Sequence, residues 1–162
     1  MARAVYAGSF DPFTNGHLHI VREAAALFEQ LIVVCAKNEK KRPVFPRDDM
    51  ADAIYECLLE DGIRNAVVVV SDKLTAYVCA EFQAEYLVRG LRNVTDFLYE
   101  EEIAKFNQRV NPGLRTIYLR AVDDALSSSM VKELLSHDED VSGYVPQSVL
   151  GVIRKGITLC SV

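Results

Sequence analysis

The chain has 162 residues, half of them hydrophobic, and a formal net charge of −5 at pH 7. That length suits one domain with a substantial buried core, and the acidic balance excludes a general nucleic-acid binder, which would carry a basic excess along its phosphate track. No apolar run is long enough to span a bilayer, and Met1-Ala2-Arg3-Ala4-Val5-Tyr6 has no signal-like character, so a cytoplasmic protein without a membrane partner is expected.

In chain order, the first element is the apolar run Ala4–Ala7, read as a buried strand. The loop Gly8-Ser9-Phe10-Asp11-Pro12-Phe13-Thr14-Asn15-Gly16-His17 follows it. Beyond the loop, Ile20, Val21, Ala24, Leu27, Phe28 and Leu31 recur at helical spacing, which predicts a helix near Gly16–Gln30. Short β-branched runs predict further strands near Leu31–Ala36, Ala66–Val70, Tyr86–Val88 and Thr116–Leu119. Between and after them, helices are expected near Arg47–Leu59, Leu74–Ala84, Asp96–Arg109, Ser128–Ser136 and Pro146–Lys155.

This alternation predicts an α/β fold: a doubly wound, Rossmann-like five-stranded parallel sheet with helices on both faces, forming a single domain over residues 1–162. The strands read as continuous rather than alternating apolar runs, as strands buried on both faces do. Cys35, Cys57, Cys79 and Cys160 are far apart with no C-x-x-C pair, so they are expected to be reduced thiols, Cys35 and Cys79 within the core. His19 and His137 have no partner at metal-ligand spacing, and no protein-held metal is expected.

In an open parallel sheet, ligands bind beyond the carboxyl ends of the strands where strand order reverses. Seven of the 18 Lys and Arg residues follow strand ends: Lys37, Lys40, Lys41, Arg42, Arg89, Arg92 and Arg120. That edge is expected to hold a polyanion. Asp11-Pro12 and Asn15-Gly16 alone are ordinary turn dipeptides, but two glycines, two hydroxyls and a histidine share this one strand-to-helix connection. At a helix start, free N–H groups and the macrodipole favour an anion, and His17 adds a donor to phosphoryl oxygen.

Three more clusters fit that reading. In Arg89-Gly90-Leu91-Arg92-Asn93, two guanidiniums three residues apart can each fork onto phosphate, and Gly90 permits close backbone approach. Ser127-Ser128-Ser129 precedes a periodic apolar run; one hydroxyl suffices as a cap, and the others are spare donors. Lys40-Lys41-Arg42-Pro43 leaves the second strand beside the histidine loop, where a lysine can lean over the site. The acidic run Glu100-Glu101-Glu102 reads as mostly a solvated helical face.

Thr14-x-Gly16-His17 resembles the [HT]-x-G-H signature of the nucleotidyltransferase superfamily, and Gly8-Ser9-Phe10-Asp11-Pro12 resembles its phosphate loop. Arg89-Gly90-Leu91-Arg92 with Asp96-Phe97-Leu98-Tyr99-Glu100, the lysine loop and the serine block resemble, in order, those of the bacterial phosphopantetheine adenylyltransferases. The resemblance spans nearly the whole chain. It implies adenylyl transfer from ATP to 4′-phosphopantetheine, giving 3′-dephospho-coenzyme A and pyrophosphate in coenzyme A synthesis, with Mg²⁺ arriving on ATP.

The resemblance also implies roles. His17 stabilises the transition state; Ser9, Lys41, Thr75 and Arg89 meet the pantetheine substrate. Ser9, Phe10, His17, Gly90, Leu91, Arg92, Glu100, Asp123, Asp124, Ala125, Leu126, Ser127, Ser128 and Ser129 meet ATP, with Glu100 near its ribose or adenine. Asp123-Asp124-Ala125-Leu126 departs from the bulkier residues of many relatives. A homohexamer, and coenzyme A as an inhibitor, are implied too.

A nicotinate mononucleotide adenylyltransferase or a cytidylyltransferase of the same superfamily is the alternative. Those usually carry His at the Thr14 position and an arginine after the serine block, where this chain has Ser128-Ser129-Met130-Val131-Lys132. A non-catalytic nucleotide-binding protein is a further alternative; nothing in the residues favours it.

Overall fold

The computed structural model describes residues 1–160, with side chains described through residue 157, so the thiol of Cys160 lies outside the described residues. Five strands, β1 (Arg3–Gly8), β2 (Gln30–Ala36), β3 (Ala66–Ser71), β4 (Tyr86–Leu91) and β5 (Arg115–Arg120), form one parallel sheet in the order β3-β2-β1-β4-β5. Six helices complete the chain: α1 (Asn15–Leu27), α2 (Arg47–Glu60), α3 (Thr75–Glu81), α4 (Val94–Val110), α5 (Ser128–Ser136) and α6 (Gln147–Cys160).

Strand alternation distributes the core between two layers. Ala4, Tyr6, Leu31 and Val33 pack with Ile20 of α1, Ile54 of α2, Val131 of α5 and Ile153 of α6. Val5, Ala7, Ile32 and Val34 face the other way, onto Ala76 and Val78 of α3 and Val110 of α4. Both faces of β1 and β2 are thereby covered, the burial that their uninterrupted apolar runs require.

The chain winds outward from β1 to β3 and then returns to lay β4 on the opposite side of β1. Strand order reverses there. β1 pairs with β4 only from Ala4↔Tyr86 to Tyr6↔Val88, whereas β4 stays paired with β5 out to Leu91↔Arg120. Arg89 and Gly90 therefore stand at the lip of the crevice that opens beyond β1, the position where such sheets take ligands.

Two helices end earlier than their periodicity predicts. α1 stops at Leu27, and Glu29 N–H donates to Ala2 O as the chain enters β2. α3 ends at Glu81; Gln83 adopts φ 53°, the left-handed conformation that ends a helix.

Candidate active site

The loop from β1 into α1 turns sharply at Phe10, whose φ of 44° is uncommon for a side chain of its size. Its ring folds back over Gly8, where a Cβ would lie 2.7 Å from Phe10 Cε1. Only glycine fits under it.

Thr14 then caps α1. Its hydroxyl accepts the His17 backbone N–H at 3.4 Å, while the Thr14 backbone N–H donates to His17 Nδ1 at 2.9 Å, completing a reciprocal capping box. With Nδ1 accepting, the neutral ring carries its proton on Nε2. The imidazole is half-buried and lies 5.1 Å from the Phe10 ring and 5.4 Å from that of Phe13. Burial, together with the positive charges of Arg92 and Arg89, lowers its pKa to about 4. At neutral pH His17 is an uncharged donor.

Arg89 is held from both sides. Its Nε and Nη2 each donate at 2.7 Å to a separate oxygen of Glu100, and Nη1 donates to Ala7 O at 2.7 Å. Burial alone would pull the guanidinium down, but the bonds to Glu100 and its charge outweigh that and hold Arg89 protonated. Glu100 is 7 % exposed, with both oxygens committed to the arginine. Arg92 is more open and forks onto Asp96 one helical turn later, at 2.9 and 3.2 Å. The hydrogen bond to Asp96 raises its pKa.

Ser127 caps α5 by accepting the Met130 N–H at 3.1 Å, and Ser128 Oγ donates to Pro12 O at 2.7 Å. The serine block thus both caps a helix and ties that helix to the histidine loop.

These clusters enclose two adjoining cavities. The larger, about 330 Å³, is lined by Gly8–Phe10, Thr14, Gly16, His17, Arg89, Gly90, Arg92, Glu100, Asp123 and Leu126–Ser129, among others. That size falls within the range of small-molecule sites, roughly 300–1,000 Å³. The smaller, of about 80 Å³, is lined by Asp11, Lys37, Lys41, Arg42, Arg47 and Lys132 around Ser9, Ser128 and Ser129. Ser9, Ser128 and Ser129 belong to both. Two anionic molecules could therefore lie side by side across a wall of hydroxyls, one toward the histidine and arginines and the other toward the lysines.

Not every expected residue reaches these cavities. Thr75 opens α3 but lines neither, and Asp124 and Ala125 also stand outside. Asp123 is exposed at the rim of the larger cavity, and its Oδ1 accepts the Ala125 N–H at 2.8 Å. Leu91 and Arg120 line a separate surface groove beside Phe97 and Tyr118, because β4 and β5 carry them past the crevice. Lys40 lines neither cavity; its N–H donates to Asn38 Oδ1 in a surface turn. At Gly90 the close neighbour is α1: a Cβ there would lie 3.1 Å from Ile20 Cγ1.

Glu101, assigned to the solvated face, accepts the Tyr118 hydroxyl at 2.5 Å. Asp11, Arg47 and Lys132 also line the smaller cavity, beyond the residues expected there. Lys132 was recoverable, since on a helix it lies four residues after Ser128 and shares its face.

A helix-start histidine and two arginines stand at the reversal point of a doubly wound sheet, where the sequence resemblance puts the site of a nucleotidyltransferase. The cytidylyltransferase-like family model matches residues 5–134. A phosphopantetheine adenylyltransferase of Streptococcus pyogenes is 41 % identical over 154 residues, covering 93 % of each chain. One of Limosilactobacillus reuteri is 38 % identical over 157 residues, covering 96 % of this chain and 90 % of its own. The chain belongs to this family, among relatives named phosphopantetheine adenylyltransferase. A crystal structure from Vibrio parahaemolyticus, described as a candidate nicotinate-nucleotide adenylyltransferase, shares the fold with a TM-score of 0.69 at 18 % identity, covering 96 % of this chain and 94 % of that one.

Proposed function

We propose that this chain transfers the adenylyl group of ATP to 4′-phosphopantetheine, forming 3′-dephospho-coenzyme A and pyrophosphate. The observation that carries the reading is the pair of cavities sharing Ser9, Ser128 and Ser129. ATP occupies the larger, with its phosphates toward His17, Arg92 and the start of α5; the acceptor phosphate lies toward Ser9 and Lys41. Names of relatives at 38–41 % identity support this acceptor over nicotinate mononucleotide.

The acceptor phosphate is already ionised near neutral pH, so no general base is required. It attacks the α-phosphorus in line, and pyrophosphate leaves. Catalysis is then positioning plus stabilisation of the charge that develops on the transferring group. His17 donates from Nε2–H to an α-phosphate oxygen and remains neutral throughout. Ser9 orients the attacking phosphate through its hydroxyl. Lys41 and Arg92 neutralise the anions, each such contact contributing about 1.5–3 kcal/mol. Arg89 acts from within its pair with Glu100, fixing the positive wall beside His17.

Among the described residues, no group of three or more His, Cys, Asp or Glu could hold a metal ion. Mg²⁺ is proposed to enter with the ATP phosphates, retaining waters. Among those residues, no helix is long and apolar enough to cross a membrane. A cytoplasmic location is proposed, with coenzyme A as an inhibitor through the same cavities. Assembly as a homohexamer is proposed as well, supported by exposed apolar side chains on α4, among them Val94, Leu98 and Phe106.

Purified protein given ATP and Mg²⁺ should release pyrophosphate with 4′-phosphopantetheine and not with nicotinate mononucleotide. Release with the second acceptor alone would overturn the reading.

A further inference from the structure

Asp11 is a buried carboxylate, 8 % exposed, in the wall of the smaller cavity. Its Oδ1 accepts the backbone N–H groups of Val44 at 3.1 Å and Phe45 at 2.9 Å, and Oδ2 accepts Val44 again at 3.0 Å. Lys132 Nζ lies 3.4 Å from Oδ2. One carboxylate thus ties together the histidine loop, the lysine loop between β2 and α2, and the first turns of α5.

We propose that Asp11 is a positioning residue for the acceptor phosphate: it clamps the lysine loop against the site and aims Lys132 into the smaller cavity. Phe45 is 5 % exposed and its N–H is buried, and an unmet buried N–H is costly. Asp11 meets it, and holds the adjoining Val44 N–H as well. Between the clamp and the preceding turn, where Lys41 N–H donates to Asn38 O at 3.2 Å, only Arg42 and Pro43 intervene. Pro43 has a fixed φ. Lys41 is therefore held within a short span whose two ends are both bonded.

The Lys132 bond is the long one, and an ammonium has three donors. An arriving phosphate can take the others, or replace Asp11 altogether, because the carboxylate keeps its two backbone partners. The cation is paired with Asp11 without being locked away from a ligand.

The inference rests on the proposed acceptor, and its test separates the two ideas. In Asp11→Ala, amide exchange at Val44 and Phe45 is expected to quicken roughly tenfold or more, as local protection is lost. KM for 4′-phosphopantetheine should rise, by up to about a hundredfold for a misplaced contact, while KM for ATP changes little. Asp11→Asn can keep the Phe45 bond through Oδ1 while losing the Oδ2 contacts to Val44 and Lys132; its exchange at Phe45 should match the unsubstituted protein, with the acceptor KM between the two. Unchanged exchange in Asp11→Ala, or equal rises in both KM values, would overturn the proposal. If Asp11→Ala does not fold, as read by circular dichroism, Asp11→Asn decides: fast exchange at Phe45, or an acceptor KM like that of the unsubstituted protein, overturns it. The exchange measurement needs no substrate, so a wrong acceptor shows instead as no pyrophosphate release from the unsubstituted protein.

Discussion

The Thr14 backbone N–H donates to Nδ1 of His17 at 2.9 Å, and that bond selects the tautomer with which the imidazole faces a ligand. The ring is a helix cap on one edge and a hydrogen-bond donor on the other. Arg92 and Arg89, along with burial, keep it uncharged, so its contribution to phosphoryl transfer is a directed neutral N–H rather than a second cation.

Replacing His17 by Ala should lower kcat by about 10²–10³-fold, the usual cost of one transition-state donor. The imidazole half of the capping box is lost with it while Thr14 still caps α1, so the stability cost through the cap should stay below about 1 kcal/mol. Steady-state kinetics beside urea denaturation would separate the effects; a variant with an unimpaired rate removes His17 from the mechanism.

The pH dependence follows from the depressed imidazole pKa. An unfolded histidine titrates near 6.5 and the folded one near 4, so the unfolded chain takes up the proton first as pH falls. The stability associated with neutral His17 is complete above about pH 6.5 and is lost between there and about 4, amounting to about 3 kcal/mol. Denaturation compared at pH 7.5 and pH 4.5 should show the unsubstituted protein losing more stability on acidification than His17→Gln, by about 2–3 kcal/mol; equal losses would contradict this. In the rate profile, no ionisation near pH 6.5 should belong to His17.

Glu100→Ala should destabilise the fold by about 3–5 kcal/mol, because Arg89 would be left buried with no counter-charge. Removing both charges with Arg89→Met and Glu100→Leu together should cost less than Glu100→Ala alone. Urea unfolding of the two variants checks the ordering. Equal destabilisation by the single and double changes would mean that the pair is not the reason Glu100 is buried.

Lys41→Met should raise the acceptor KM by about 10–100-fold, the equivalent of one charge-assisted contact. Thr75→Ala should leave both KM values unchanged, since that side chain lines neither cavity. Parallel titrations of ATP and acceptor test the contrast.

The sequence makes the architecture legible because βα alternation carries its own punctuation. Every expected strand and helix is present, and the ends that moved did so at local features, such as Gln83 with its left-handed backbone. β4 was expected to stop at Val88; Arg89, Gly90 and Leu91 do not look like strand, yet pairing with β5 extends it through them. The convergence of the histidine loop, arginines and serines was also readable, since the topology sends them to one edge.

Pairings across the site were hidden. Arg89 with Glu100, and Asp11 with Phe45 and Lys132, are set by tertiary geometry over separations of 11, 34 and 121 residues, and periodicity carries no trace of them. Burial makes the thiols inert in the same silent way, pushing Cys35 and Cys79 up to about 12 and Cys57 to about 11.

Direct transfer between two anions lying across a wall of serines makes the stereochemical course at the α-phosphorus the sharpest test. With one diastereomer of adenosine 5′-O-(1-thiotriphosphate) and 4′-phosphopantetheine, a single in-line displacement predicts a product of inverted configuration. Retention would require an adenylylated protein intermediate and would contradict the account.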